Sequence, residues 1–473
     1  MRQKFLFPIL SLAFAGLTIF LGYFVQRSDF QVFITAYAAF FGLYVWVVFY
    51  LQSHFSTSQT RYLLWLGIGL RVLLLFSIPN LSDDYARFLW DGHLTVAGIH
   101  PFAHTPAYFI ENQIFPPGIT LELFEKLNSP GYFTIYPPVC QAVFALAVWL
   151  FPMSELGGVF VMKLFLLACE IGTIRILEHR RAPTPPIPPI FSNNTSFFGG
   201  MGGVGALRCS LLYALNPLII LEICGNGHFE GAMIFFLLAG MLAIQHGKIA
   251  TGALWWALAT ASKMLPIMFL PIVWRWLGWR KGLIFNAIFA VACLVLFVPI
   301  LVMLPNMLDS LDLYFRKFQF NASIYYLVRE LGFSKIGWDI GAYSGPALAG
   351  LTALGVLIIA WRTKGLSNVE LSESSKLSGS LSTYLLFALF LYLSFSATVQ
   401  PWYICVPLAL SLLTHWRFVV VWSGLAALSY SHYEGGGMQE NYGLIVLEYA
   451  LLWGFFLWEL RRIIVRKPPQ ISS

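Results

Sequence analysis

The sequence predicts an all-α polytopic membrane protein with about 14 transmembrane helices, within a range of about 11 to 14. Of its 473 residues, 58% are hydrophobic and only 11% are charged, whereas soluble proteins carry about 25% charged residues. Apolar runs of about 17–25 residues recur along the chain and are long enough to cross a bilayer as helices. Because lipid offers no hydrogen-bond partners, the peptide groups of these runs must pair within helices.

The apolar segments follow one another closely, and we treat the chain as one transmembrane domain, residues 1–473. An even number of crossings places both termini on the same side of the membrane. The predicted spans lie at 5–25, 30–51, 62–79, 157–178, 208–224, 229–246, 249–262, 264–278, 282–304, 345–361, 381–397, 402–414, 417–430 and 443–460.

Segment 136–151 is apolar, but it begins with two prolines and has only sixteen residues. If it does not cross, one side of the membrane receives 19 of the 29 basic residues, against 8 on the other side and 2 within spans. Basic residues concentrate on the inner side of a membrane. We therefore predict that 136–151 is a helix on the outer surface. The net charge of +7 follows this pattern and does not indicate nucleic acid as a partner.

Three large outer loops result from this topology, at 80–156, 305–344 and 431–442. The first is predicted to carry amphipathic helices and the catalytic residues. The inner loop 179–207 is rich in Pro, Gly, Ser and Asn, a composition typical of a flexible linker. The six cysteines form no CxxC pair, so neither a disulfide framework nor a zinc site is indicated.

The start of the first outer loop predicts a helix with Ser82 at its N-cap and Asp83 and Asp84 in its first turn. Asp84, Arg87 and Asp91 then share one face. The helix dipole favours the ionised form of first-turn carboxylates, and a positioned carboxylate is what a general base requires. The alternative is that Asp83–Arg87 and Arg87–Asp91 are ordinary i,i+4 ion pairs.

Further polar and aromatic side chains stand at the predicted outer ends of the spans, where ionisable groups suggest function. Each also has a simpler interpretation. Glu222 could pair with Lys263 or Arg71. Lys163, inside a span, could reach the outer headgroups, and the aromatic side chains could form an interfacial belt. Together they match transfer of a group from an anionic lipid. The residues are Glu222, His228, Glu230, Lys263, Arg316, Lys317, Arg329, Trp402 and Tyr403.

Seven motifs of the chain resemble the GT-C superfamily of membrane glycosyltransferases, and most closely its bacterial polyprenol-phosphate-mannose-type branch. They are Asp-Asp-x-x-Arg-Phe-Leu-Trp-Asp-Gly (83–92), Ala-Gly-Ile-His-Pro-Phe (97–102), Tyr-Pro-Pro (136–138), Leu-Asn-Pro-Leu-Ile-Ile-Leu-Glu (215–222), Gly-Asn-Gly-His (225–228), Ser-Lys-x-x-Pro (262–266) and Pro-Trp-Tyr (401–403).

The resemblance implies a GT-C-like bundle in which Asp83 or Asp84, not separable at this stage, is the catalytic base and Lys263 contacts the donor phosphate. Related sequences often show Asn-Asp after Gly-His, where this chain has Phe229 and Glu230, so the role of Glu230 is open. The implied substrate-binding residues are Arg87, Asp91, Tyr136, Glu222, His228, Glu230, Lys263, Arg329, Trp402 and Tyr403.

We therefore expect an inverting glycosyltransferase of a bacterial inner membrane, with its site facing the periplasm. It would move a monosaccharide, with mannose as the candidate, from a polyprenyl-phosphate donor to a hydroxyl of a glycan, glycolipid or protein acceptor. The sequence indicates no definite cofactor, although Asp83 and Asp84 could instead hold a divalent cation. The alternative is a lipid-linked sugar flippase or another secondary transporter, which predicts charges near the midplane and paired broken helices. The absence of an internal repeat weakens that alternative.

Overall fold

The computed structural model describes residues 2–51, 55–179, 202–316, 318–365 and 374–465, and these ranges are all-helical, as predicted. The one extended pairing among them is a single bridge between Phe320 and Thr398. The α-helices are α1 Arg2–Tyr23, α2 Phe30–Val45, α3 Thr57–Leu73, α4 Asp84–Val96, α5 Pro106–Glu111, α6 Leu121–Glu125, α7 Pro138–Leu150, α8 Glu155–His179, α9 Gly202–Ala214, α10 Pro217–Ile219, α11 Glu230–Gln245, α12 Ile249–Ser262, α13 Leu270–Leu277, α14 Trp279–Leu301, α15 Leu304–Arg316, α16 Ile324–Ile336, α17 Gly341–Arg362, α18 Ser374–Phe395, α19 Cys405–Ser411, α20 Phe418–Leu425 and α21 Tyr442–Val465.

Short 3₁₀ and π segments continue or interrupt these helices, and π segments are frequent at functional sites. The π segments are Trp46–Leu51 and Ile220–Gly225, and the 3₁₀ segments are Leu74–Phe76, Leu265–Phe269, Pro401–Ile404 and Ala426–Gly436. Most of the predicted inner linker 179–207 falls at 180–201, outside the described residues.

Six helices in the described ranges are long and apolar enough to cross a membrane, by length and composition: Phe5–Tyr23, Phe30–Phe49, Thr57–Phe76, Trp279–Leu301, Tyr343–Arg362 and Tyr442–Val465. A seventh candidate is the pair Pro217–Gly225 and Glu230–Gln245, which is bent by 111°. These helices fit an integral membrane protein. Several other predicted spans are shorter or broken helices, so the count of about 14 stays a prediction.

Helix α4 begins at Asp84, and its N-cap is Asp83 rather than the predicted Ser82. The Ser82 hydroxyl still accepts a hydrogen bond from the Asp84 amide, at 3.3 Å.

Helix α4 packs closely on α7. A Cβ on Gly92 would lie 2.5 Å from the Phe144 carbonyl oxygen, so only glycine permits this approach. The predicted helix within 136–151 is therefore present as α7, and its surface location stays a prediction.

Two predicted roles of charged residues inside spans are wrong. Arg71 binds not Glu222 but Glu170 of α8, at 2.9 Å, and both side chains are fully buried. Lys163 does not reach the headgroups. It is buried and donates to the Leu74 carbonyl at 3.0 Å and the Ser77 carbonyl at 2.6 Å. These contacts give both buried charges polar partners and connect α3 and the segment that follows it to α8.

Candidate functional site

His228 lies at the centre of a polar cluster that joins the start of the first outer loop to the break before α11. Its Nδ1 is 3.2 Å from Glu222 Oε2, and its Nε2 is 3.8 Å from Asp84 Oδ2. The imidazole also stacks on Trp402, with ring centroids 3.9 Å apart. The predicted site residues Asp84, Glu222, His228 and Trp402 therefore come together, although they are distant in sequence.

A tight turn between two helical segments places His228. The π segment ends at Gly225, and Gly227 has a φ of +79°, which glycine adopts without strain. The His228 amide donates to the Glu222 carbonyl at 3.2 Å. This turn leaves Glu222 on one side of the imidazole, where Tyr430 donates to its carboxylate at 2.7 Å. Tyr430 is a residue of the site that the sequence did not indicate.

Asp83 and Asp84 have different surroundings. Asp83 Oδ2 forms an ion pair with Arg27 at 2.5 Å, not with Arg87 as the i,i+4 interpretation predicted. Asn128 donates to both carboxylates, at 2.7 Å to Asp83 and 2.9 Å to Asp84. Arg27 lies between α1 and α2, and Asn128 lies between α6 and α7. No local sequence signal pointed to either as a partner of the carboxylate pair.

Burial raises the pKa of the Asp84 carboxyl above its ordinary value. The neighbouring Asp83 raises it further, whereas His228, the Asn128 hydrogen bond and Lys263 lower it. The side chain of Asp84 is 19% exposed. The carboxylate is therefore partly accessible and lies 3.8 Å from an imidazole nitrogen, which is a suitable setting for a general base.

Arg87 and Asp91 form the other predicted i,i+4 pair, which the structure confirms with an Nε–Oδ1 distance of 3.0 Å. Both side chains are buried. Arg87 also donates to the carbonyls of Ser129 at 3.2 Å and Tyr132 at 3.0 Å, and Thr134 donates to Asp91 at 2.5 Å. The pair thus fixes segment 129–134 against α4, and its predicted substrate contact stays a prediction.

Lys263 stands where α12 ends, and its partner is Glu230 rather than the predicted Glu222. The Nζ–Oε1 distance is 3.1 Å. Burial is the largest single influence and lowers the pKa of the Lys263 ammonium, but the neighbouring acidic groups, Glu230 first among them, together raise it, so the net pKa lies above the ordinary value. The ammonium also lies 5.8 Å from the centre of the Tyr136 ring.

Lys263, Glu230, Tyr136 and Tyr403 line a cavity of about 690 Å³ whose walls are otherwise mostly apolar. The wall from α17 presents small side chains over about three turns, including Gly345, Ala349, Thr352 and Ala353. The full lining is Ile135, Tyr136, Pro137, Glu230, Met233, Lys263, Met264, Leu265, Ile267, Met268, Pro271, Gly345, Ala349, Thr352, Ala353, Val356, Leu357, Leu389, Tyr392, Leu393, Phe395, Ser396, Ala397, Thr398, Tyr403 and Val406.

Arg329 is not part of this arrangement. On α16 it pairs with Glu330 at 2.7 Å, and it donates to the Tyr442 hydroxyl at 3.0 Å and to Gln319. It contributes neither to the cavity lining nor to the cluster around His228. Arg316 is the last residue of α15, and Lys317 lies outside the described residues.

A divalent cation at Asp83 and Asp84 stays a prediction. Within residues 2–51, 55–179, 202–316, 318–365 and 374–465, no three His, Cys, Asp or Glu side chains are grouped to hold a metal. The guanidinium of Arg27 already contacts Asp83, and a cation would have to displace it. The donor set therefore favours a base over a metal centre.

Among curated proteins, the chain is similar to alpha-(1→6)-mannopyranosyltransferase A of Mycobacterium tuberculosis. The two are 25% identical over 262 residues, which cover 49% of this chain and 45% of that protein. The match thus spans less than half of the relative's length. No protein-family model matches the chain.

Proposed function

We propose that this chain is an inverting glycosyltransferase of the GT-C type that moves a monosaccharide from a polyprenyl-phosphate donor to an acceptor hydroxyl. One observation carries the proposal: the Asp84–His228 cluster adjoins Lys263 at the edge of a large apolar cavity. The distant likeness to a mannosyltransferase supports glycosyl transfer and makes mannose the proposed sugar.

The cavity suits the donor lipid. Its apolar walls would hold the first isoprene units, and its lysine would hold the phosphate by a charge-assisted hydrogen bond. The small residues of α17 leave room for a branched chain beside that phosphate. Tyr136 and Tyr403 also line the cavity, and Tyr136 lies 5.8 Å from the Lys263 ammonium, where its ring could stack on the sugar.

Asp84, rather than Asp83, is the proposed base, because Asp83 is already neutralised by Arg27. Asp84 takes the proton of the acceptor hydroxyl, whose oxygen attacks the anomeric carbon from the side opposite the phosphate. The bond between that carbon and the phosphate oxygen breaks, and its electron pair remains on the lipid phosphate. Because a phosphate is a weakly basic leaving group, no general acid is needed.

The site is proposed to face the periplasm. The proposal is supported by the distance of 3.8 Å between Asp84 and His228, since residues on one side of a membrane are separated by an even number of crossings, as expected if 136–151 does not cross. We expect Glu111→Cys and Gly437→Cys, in a cysteine-free background, to react with an impermeant thiol reagent added outside. His246→Cys, also an exposed position, should not react. Outside labelling at 246 would contradict the topology.

The activity test supplies purified protein with polyprenyl-phosphate esters of radiolabelled mannose, glucose, arabinose and N-acetylglucosamine, together with synthetic mannosides as acceptors. We expect one lipid-linked sugar to be transferred and the corresponding nucleotide sugar to be inert.

In proteoliposomes, movement of an intact lipid-linked sugar between leaflets, without transfer, would instead support the flippase. The 111° break before α11 is the feature that would favour this alternative.

His228→Gln is expected to move the acidic limb of the pH–rate profile to higher pH. His228 lowers the pKa of Asp84, so without it the base is protonated at a higher pH and activity is lost earlier as the pH falls. The control is His432→Gln, since His432 also faces a carboxylate, Glu440, at 3.6 Å, but away from Asp84. A uniform loss of turnover with no shift of the limb would make His228 merely structural.

A further inference from the structure

The lysine proposed to hold the donor phosphate has a carboxylate directly beside it. Glu230 Oε1 lies 3.1 Å from Lys263 Nζ, and the Glu230 side chain is only 3% exposed. Its other oxygen, Oε2, is buried with no hydrogen-bond partner in the part of the chain that the structure describes. Among the described residues that line the cavity, only Glu230 and Lys263 carry a charged side chain. A carboxylate next to an anion-binding lysine repels the anion and weakens its binding, so the presence of Glu230 here calls for an explanation.

The proposed reaction changes the charge of the lipid phosphate at this position. The donor is a phosphodiester with one negative charge. When the bond to the sugar breaks, the electron pair stays on the phosphate oxygen and the acceptor proton goes to Asp84. The product is a phosphomonoester with a second pKa near 6, so it carries nearly two negative charges above about pH 7. The same lysine must therefore bind a monoanion and release a dianion.

We propose that Glu230 keeps the Lys263 site from favouring the doubly charged product over the singly charged donor, and thereby speeds release of the lipid phosphate. This inference rests on the proposed function. Coulomb repulsion is proportional to charge, so Glu230 opposes the product about twice as strongly, in free energy, as it opposes the donor. Removing the charge should therefore tighten product binding by roughly the square of the factor by which it tightens donor binding.

The test is Glu230→Gln in the full-length protein reconstituted in nanodiscs. The probes are a polyprenyl phosphate and its mannosyl diester with the same chain length. At about pH 7.5 we expect the diester to bind about 3–5-fold more tightly and the monophosphate about 10–25-fold more tightly than in the wild type. Steady-state turnover should fall through product inhibition, and added polyprenyl phosphate should inhibit the variant at about 10–25-fold lower concentration than the wild type.

Glu230→Asp keeps the charge and is the matched control, with both affinities near the wild-type values. The main competing explanation is that Glu230 only keeps Lys263 protonated, since the carboxylate raises the pKa of that ammonium. In that case Glu230→Gln would weaken the binding of both lipids. That result, or equal tightening of both, would overturn the inference.

A pH series on the wild type gives a measurement that needs no variant. With Glu230 offsetting Lys263, the ratio of monophosphate to diester affinity should stay within about threefold between about pH 5 and 8, although the monophosphate gains a charge over this range. The titratable groups near the pair are Asp84, Tyr136, Cys140, Tyr392, Tyr403 and Cys405. Because a change of charge on any of them would also act more strongly on the dianion than on the monoanion, the same series on Asp84→Asn, which removes the carboxylate among them, separates their contribution from that of Glu230.

The outcomes separate the two proposals. If the wild type binds neither lipid, the proposed function fails, and the role of Glu230 fails with it. If the wild type binds both lipids but the ratio rises by more than about tenfold as the phosphate ionises, only the inference about Glu230 fails.

Discussion

Asp84→Asn is expected to lower turnover by about 10²–10⁴-fold, the usual contribution of a general base. Asparagine has the same shape and can still accept the hydrogen bond from Asn128, which spans 2.9 Å to Asp84 Oδ1. The helix start and the fold should therefore persist. Donor affinity should also persist, because the donor phosphate is assigned to Lys263. The measurement is turnover together with donor affinity and melting temperature.

Asp83→Asn is the matched control on the adjacent residue. It removes the ion pair with Arg27 at 2.5 Å, but both partners are partly exposed, and such pairs contribute little to stability. We expect a loss of turnover of less than about tenfold, through displacement of Asn128 and Asp84. A larger loss in Asp83→Asn than in Asp84→Asn would reverse the assignment, and near wild-type turnover in both would remove the base from this motif.

Local signals were enough to predict the helix that presents these carboxylates. Capping and the i,i+4 spacing of Arg87 and Asp91 depend on a few neighbouring residues, and the ion pair between them is present in the structure. Arg27 and Asn128 contact the same carboxylates across 56 and 45 residues. Helical spacing rules relate residues only three or four positions apart, so the sequence alone could not pair Arg27 or Asn128 with Asp83.

The partner of Lys263 shows a different limit. Glu222 and Glu230 both flank the Gly-Asn-Gly-His turn, and charge alone makes either a possible partner. The turn at Gly227 decides between them, because it directs Glu222 towards Tyr430 and leaves Glu230 at the cavity. Recognising that outcome requires the path of the backbone, not the composition of the loop.

The number of spans was the least predictable feature. Apolar length identifies uninterrupted helices such as Trp279–Leu301. It is a poor guide where proline or a π segment interrupts a span, as it does at Ile220–Gly225 and Pro401–Ile404. Those interruptions also place His228 and Trp402, so the irregular segments that confuse the count are the ones that build the candidate site.

Lys263→Met is expected to weaken donor binding by roughly 10–150-fold, which corresponds to the loss of one charge-assisted hydrogen bond of about 1.5–3 kcal/mol. Methionine keeps the apolar stem against the cavity wall and removes only the charge. The melting temperature should also fall, because Glu230, 3.1 Å away, is left as an uncompensated buried carboxylate. The double variant Lys263→Met/Glu230→Gln should recover the melting temperature.

Donor affinity distinguishes a phosphate ligand from a structural lysine. The matched control is Lys163→Met, since Lys163 is also buried, but it binds the Ser77 carbonyl at 2.6 Å, away from the cavity lining. We expect Lys163→Met to lower the melting temperature while the folded protein binds the donor normally. If Lys263→Met behaves in the same way, then Lys263 serves the fold alone. In the double variant the stability is recovered and the uncompensated charge of Glu230 is removed. If donor affinity nevertheless stays low, its loss is due to the missing ammonium, and Lys263 is the ligand of the donor phosphate.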